Sequence, residues 1–460
     1  MTIDVSLHDA ASQLATAFAG QLLREGDSGY DEARRVHNGL VDKRPALIAR
    51  CRGVADIVDA VTLARDHSLE VSVRGGGHNV AGRAVVDGGL MIDLSLMKGI
   101  HVDPKDRTVR VQGGVTWGEL NRETQFHGLA TTGGIVSTTG IAGLTLGGGL
   151  GWLMGKYGLA LDNLVSVEIV TADGRVLAAN ADDNHDLFWA VRGGGGNFGV
   201  AASFEYRLHA VGPVVTGGIV AHPFGSAGDV LRLFRDITAS LPDELTMAIG
   251  LLNAPDGSGT KLVAIVLCHC GAPRDGEAAV RPLKAFGSPV IDVIGPMPYC
   301  QVNSLLDPDY PRGALNYWKS HFLAKLSDEA IDAMMECVAR SPSRMRGCGV
   351  ILEHVHGAAA RIGVEETAFP HRWDGFSLLI LSQWTDARDN DRCTAWARES
   401  YATMEPFLAT GRYVNYLDHD ETGDPVAAAY GRNYPRLQKL KARYDPHNFF
   451  HMNQNIRPLS

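Results

Sequence analysis

A strand-like run from Glu70 to Val73 ends on Arg74-Gly75-Gly76-Gly77-His78-Asn79. Three consecutive glycines strip the side chains from a sharp turn, so main-chain N–H groups can approach an anionic group such as a diphosphate. A histidine closing that turn is held against whatever the turn binds. The triplet alone is equally compatible with a plain strand-end turn whose histidine is satisfied by its neighbours. Length adds a second constraint: 460 residues exceed one comfortable core, so two domains are expected.

Hydrophobic content of 45% and charged content of 21% describe an ordinary globular chain. The formal net charge of -9 argues against a nucleic-acid or anionic-membrane partner, because both need a basic face. Glycines cluster before residue 200, which points to close backbone approach rather than low complexity. The seven cysteines are scattered, and neither they nor the histidines fall into zinc or disulfide spacings. They are expected as small buried side chains in a reducing compartment, with no metal bound. Met1 to Val5 opens no secretory signal, and no apolar stretch approaches the roughly 20 residues of a bilayer span. The expected location is cytoplasmic, and the expected assembly a monomer or homodimer.

Apolar periodicity organises the chain. Pro45 to Cys51 reads as a strand, Val54 to Ala64 as a helix and Glu70 to Val73 as a strand, a β-α-β opening onto the glycine turn. Leu90 to Leu94 and the pair Ile100–Val102 and Val109–Val111 follow as strands, the pair flanking an Asp-Pro turn signal. Beyond Leu208 glycine thins. There Thr246–Leu252, Lys261–His269, Val350–His356 and Ser377–Trp384 read as strands of one sheet. Asp229–Ala239 and Asp328–Ala339 read as helices on it.

A second glycine cluster, Gly140-Ile141-Ala142-Gly143-Leu144-Thr145-Leu146-Gly147-Gly148-Gly149-Leu150-Gly151, precedes Asp162-Asn163 and the strand Ser166 to Thr171. The chain closes on Tyr444-Asp445-Pro446-His447-Asn448-Phe449-Phe450 and Asn453-Gln454-Asn455-Ile456. In this order, from about Tyr30 to the end, these motifs resemble the FAD-linked oxidases of the vanillyl-alcohol-oxidase superfamily. More narrowly they resemble the berberine-bridge-enzyme-like group, whose members include bacterial 6-hydroxynicotine oxidases and a polyketide oxidase of enterocin biosynthesis.

The resemblance implies an α+β, two-domain PCMH-type FAD-binding fold with an inserted antiparallel-sheet substrate domain. The implied division is 1–208 for FAD, 209–414 for substrate and 415–460 returning to the FAD domain. It implies FAD bonded covalently through His78 only, because Val136 stands where some relatives carry a second, cysteinyl link. Single attachment favours a smaller or flatter substrate. Implied cofactor contacts are Arg74, Gly75, Gly76, Gly77, His78, Asn79, Gly82, Gly134, Thr138, Thr139, Gly140, Gly143, Gly148, Gly149, Gly151, Asp162, Asn163, Val170, Asn453 and Asn455. The Gly-x-Gly-x-x-Gly string in Gly193 to Gly199 lacks the context of a nicotinamide site.

Flavin dehydrogenation needs a group that takes a proton while hydride leaves the substrate. On the run Val350 to His356 a period of two puts Glu353 on the face of Ile351 and Val355, with His354 and His356 opposite. A carboxyl among apolar side chains has its pKa raised toward base competence. Glu353 is the first candidate base, against an edge-strand glutamate facing water. Tyr416 is the second catalytic candidate, against a packing aromatic. The expected activity is oxidation of a C–H next to O or N of a small organic substrate, with molecular oxygen as acceptor and peroxide as product. Gly134 is expected to leave oxygen a path. Alternatives are a dehydrogenase with another acceptor, an oxygenating polyketide-tailoring flavoenzyme, a flavin carrier or sensor, and a flavin-free hydrolase or lyase.

Overall fold

A computed structural model describes residues 14–16, 18–421 and 423–459. Met1 to Val5, read above for a signal sequence, lies outside the described residues.

The first sheet contains Gln21–Leu23 (β1), Leu47–Arg50 (β2), Val71–Arg74 (β3) and Leu90–Asp93 (β4), in the order β1-β2-β4-β3. The strands β2, β4 and β3 run parallel. The crossover from β2 to β3 is the helix Val54–Asp66, which buries Ile57, Ala60, Val61 and Ala64 against the sheet. This is the β-α-β opening expected from periodicity, and it delivers the glycine turn to the end of β3.

A five-stranded antiparallel sheet follows, ordered β5-β6-β10-β8-β9. Its strands are Ile100–Asp103 (β5), Thr108–Gln112 (β6), Leu164–Val170 (β8), Val176–Asn180 (β9) and Val200–Arg207 (β10). Leu129–Ala130 (β7) forms a separate short pair with His209–Ala210 (β11). Its core draws on both ends of the chain: Val109, Val111 and Phe204 cluster with Val414, Leu417, Tyr430, Leu437 and Ile456. A buried Lys441 fastens the tail, bonding the Asp445 carboxylate at 2.6 Å and the Asn197 carbonyl at 2.7 Å.

The third sheet has eight antiparallel strands: Val214–Pro223 (β12), Leu245–Asn253 (β13), Lys261–His269 (β14), Ile291–Asp292 (β15), Gly295–Pro298 (β16), Leu315–Leu323 (β17), Gly349–Val355 (β18) and Gly375–Trp384 (β19). Their order is β15-β12-β14-β13-β18-β19-β17, with β16 also on β12. Alternation divides the faces. Met247, Ile249, Val350 and Leu352 pack against the helices Ala227–Thr238, Asp328–Ala339 and Asn390–Met404. Ala248 and Ile351 point to the opposite face, toward the first half of the chain.

Strands β13, β14, β18 and β19 lie within two residues of expectation. Strand β17 escaped it because Asn316, Lys319 and Ser320 are buried polar residues that break the apolar alternation. Strand β12 escaped it because Gly217 and Gly218 lower its apolar signal. Part of the second glycine cluster is helical: Ile141–Gly147 forms a helix that starts after Gly140.

Candidate active site

Main chain meets main chain where the two glycine segments touch. A Cβ on Gly76 would lie 2.4 Å from the Gly140 nitrogen, and one on Gly140 would lie 2.4 Å from the Gly76 nitrogen. No side chain fits at either position. Gly77, at φ +68°, takes a left-handed conformation that glycine adopts without strain. The result is a bare backbone wall in the lining of a cleft.

The cleft runs between the three sheets. Gly75 to Asn79, Gly134, Thr139, Gly140 and Gly143 line it, together with Asn197, Tyr430 and Asn453. The eight-stranded sheet contributes Trp318, Ile351, Glu353 and Leu379, with Tyr310 beside them; the tail contributes Tyr413, Asn415 and Tyr416. The two halves are tied across the cleft. The Asn303 amide donates to the Gly134 carbonyl at 2.6 Å, and the Asp307 carboxylate accepts from the Ser137 amide at 2.8 Å and its hydroxyl at 2.5 Å. The Asn38 amide donates to the Val80 and Asn316 carbonyls, both at 2.8 Å.

Glu353 sits on β18, between β13 and β19, and is 4% exposed. The edge-strand alternative is therefore excluded. Burial pushes its carboxyl up to about 7, opposed by hydrogen bonds from Ser377 and Tyr416. The Tyr416 hydroxyl donates to Glu353 Oε1 at 3.2 Å and Oε2 at 3.3 Å. Burial and the facing carboxyl push the Tyr416 phenol well above its ordinary value, so it stays a donor. The Tyr413 hydroxyl accepts from the Gly149 amide and the Asn415 side chain, both at 2.9 Å. The segment holding these tyrosines is pinned by Lys319, which bonds Asp420 at 2.6 Å and Glu421 at 3.0 Å. His354 and His356 face away from the cleft; His354 bonds Asp374 at 2.9 Å.

Of the residues singled out from sequence, Gly75, Gly76, Gly77, His78, Asn79, Gly134, Thr139, Gly140, Gly143, Asn453, Glu353 and Tyr416 line the cleft. The others do not, and most have structural employment. Arg74 pairs with buried Asp93 at 2.5 Å. Asp162 pairs with Arg372 at 2.7 Å. Asn163 bonds the Tyr157 and Leu159 carbonyls. Val170 is wholly buried in the core of the first sheet. Gly82 abuts Val41, Gly148 abuts Tyr413, Gly149 abuts Ala160 and Gly151 abuts the Gly133 carbonyl, each too closely for a Cβ. Thr138 is exposed outside the cleft, and the Asn455 Oδ1 is buried without a partner.

Gly134 requires a correction. Its Cβ direction is filled, with Leu144 Cδ1 at 2.8 Å and Trp117 Cδ1 at 3.3 Å. The absent side chain makes room for Leu144 and Trp117, so the glycine does not by itself leave an empty space beside the cleft. Sequence reasoning also missed Tyr310, Trp318, Leu379, Asn197 and Arg83. Arg83 follows His78 by five positions, and its guanidinium donates to the Asn453 carbonyl at 3.1 Å. That short separation was the available signal. Asn197 lies in the Gly193 to Gly199 glycine string and Leu379 on the expected strand Ser377–Trp384; Tyr310 and Trp318 come from distant segments without a signal.

The donor set fits a flavin dinucleotide. A backbone wall faces the cleft, and His78 Nε2 and Asn453 Oδ1 are shut from solvent with no partner of their own. Burial first, then the adjacent His37, pushes the His78 imidazole down to about 3, so it is uncharged. Among the described residues no group of His, Cys, Asp and Glu could hold a metal ion, and no helix is long and apolar enough to cross a membrane.

Comparison with known proteins agrees with this geometry. Residues 45–180 match the FAD binding domain family, and residues 412–457 match the berberine and berberine-like family. The (R)-6-hydroxynicotine oxidase of Paenarthrobacter nicotinovorans is 32% identical over 97% of this chain and 99% of its own. The crystal structure of 6-hydroxy-D-nicotine oxidase from Arthrobacter nicotinovorans superposes with a TM-score of 0.88 at 31% identity, covering 96% of this chain and 98% of that one. Glucooligosaccharide oxidase from Acremonium strictum, described with a 6-S-cysteinyl, 8α-N1-histidyl FAD, superposes at 0.86 with 27% identity over 98% of this chain and 99% of its own. The chain belongs to the berberine-bridge-like family of FAD-linked oxidoreductases, and it is an FAD-dependent enzyme.

Proposed function

We propose that this enzyme is an oxidase of a small, flat, largely apolar amine, alcohol or phenol, with FAD bonded through His78 alone, Glu353 as base and oxygen as acceptor. One observation carries the reading: a buried carboxyl near 7 and a phenol bonded to it share a cleft with the Gly-Gly-Gly-His turn. Bound FAD supplies a two-electron acceptor for hydride.

The remaining work falls to the chain's own groups. Tyr310, Trp318, Ile351 and Leu379 offer an apolar, aromatic bed that favours a planar substrate and excludes water. Ionised Glu353 takes the proton from the substrate N–H or O–H as the neighbouring C–H bond gives up hydride. Tyr416, bonded to both carboxyl oxygens, holds that base in one orientation. A 6-hydroxynicotine oxidase at 32% identity supports the amine option. Val136 in the cleft wall cannot form a thioether, which supports a single attachment. In this reading residues 1–208 and 415–460 bind FAD and 209–414 bind substrate. A panel of amines, alcohols and phenols with peroxide detection and a visible spectrum tests it. Turnover confined to polyols, or no peroxide from any compound that bleaches the flavin, contradicts it.

A further inference from the structure

His37 and His78 stack ring on ring. Their centroids are 3.9 Å apart with 21° between planes. His37 lies outside the motifs read from the sequence, is buried, and its Nε2 has no partner. Its backbone is fixed at both sides: its N–H donates to the Gly77 carbonyl at 2.9 Å, and its carbonyl accepts from Gly313 at 2.9 Å. The next residue, Asn38, bonds the Val80 carbonyl. The pair His37-Asn38 therefore grips the turn immediately before and shortly after His78.

We propose that His37 is the positioning residue for flavin attachment, a flat platform that sets the plane of the His78 imidazole as it bonds the cofactor. This rests on the His78 link proposed above. An imidazole nitrogen attacks along its in-plane lone pair, so ring rotation by tens of degrees misdirects it. A second ring lying flat at 3.9 Å blocks that rotation. The nucleophile must also be uncharged. Burial holds His37 down at about 4 and His78 at about 3, so both rings are uncharged at neutral pH.

A bond forms between a His78 ring nitrogen and the carbon of the flavin ring methyl. The imidazole gives up its N–H proton and the methyl gives up one proton. The two electrons left on the flavin pass to dissolved oxygen, which takes up two protons and leaves as hydrogen peroxide. His37 neither gains nor loses an atom.

The test compares unaltered protein, His37→Leu and His37→Phe. Leucine keeps the bulk and loses the flat face; phenylalanine keeps the face and loses the nitrogens. Each is purified, its total flavin measured, and the fraction surviving acid precipitation followed during incubation with FAD in air. His37→Leu is expected to bind total flavin as the unaltered protein does and melt alike, yet attach it at least tenfold more slowly. His37→Phe is expected to restore attachment to within about threefold. Attachment by His37→Leu at the unaltered rate overturns the proposal. So does a His37→Phe protein as slow as His37→Leu, which would assign the role to the nitrogens. Should His37→Leu fail to fold, His37→Met, of similar bulk and without a flat face, takes its place under the same criterion. Free flavin released from the unaltered protein by acid would instead contradict the His78 link itself, a separate failure.

Discussion

The Tyr416 hydroxyl donates to both carboxyl oxygens of Glu353, at 3.2 and 3.3 Å, although the two residues reach the cleft from different elements. One hydrogen bonded to two oxygens stabilises the carboxylate and fixes its plane. Burial pulls the other way and wins, leaving Glu353 near 7.

Removing that donor should therefore shift Glu353 further upward. Tyr416→Phe is expected to move the pH profile of flavin reduction to higher pH. The rate at pH 7 is expected to fall by about tenfold, with FAD binding unchanged. A profile of unaltered position would show that the hydroxyl does not act on Glu353.

Glu353 also makes stability depend on pH. Its folded value, about 7, lies above the ordinary 4.5, so the fold holds this proton more tightly than the unfolded chain does. Stability from this group is fully present below 4.5 and is lost as pH rises through about 7. The loss is on the order of 3 kcal/mol by pH 8. Glu353→Gln carries no charge to bury. It is expected to melt with the unaltered enzyme at pH 4 and above it at pH 8. Equal melting at both pH values would contradict a carboxyl buried near 7.

The flavin link is checked by mass. Proteolysis of acid-precipitated protein is expected to give one flavin-bearing peptide, containing His78, and none containing Val136. His78→Ala is expected to leave its flavin in the acid supernatant or bind none. A flavin-bearing peptide without His78 would contradict the assignment.

Gly134→Val places atoms against Leu144 and Trp117 in a filled space. Overpacking of this kind costs about 1–3 kcal/mol. The substitution is expected to lower stability and to slow flavin reduction and reoxidation by similar factors in stopped flow. Selective slowing of the oxygen half-reaction would restore Gly134 as an oxygen gate.

Local pattern exposed much of this molecule. The β-α-β opening, the turn at His78 and the inward face of Glu353 all follow from periodicities of two and 3.6 and from glycine's missing side chain. Strand β17 stayed hidden because Asn316, Lys319 and Ser320 are satisfied by partners distant in sequence, such as Asn38 and Asp420. Several residues implied by resemblance as cofactor contacts, such as Asp162 and Arg74, form ion pairs outside the cleft lining. A motif records that residues recur together without separating those that touch a ligand from those that hold the shape. Trp318 and Tyr310 reach the cleft, and His37 reaches His78, only through tertiary packing.

In the proposed reaction Glu353 takes the substrate proton in a cleft where flavin takes the hydride. Anaerobic stopped-flow reduction of the flavin, by any panel compound the unaltered enzyme oxidises, tests it most directly. The unaltered rate is expected to rise with pH through about 7 and then level. Glu353→Gln is expected to be on the order of 10²–10⁴-fold slower, with no step at that pH. A Glu353→Gln enzyme that reduces its flavin at the unaltered rate, with the same pH step, would contradict the proposed reaction.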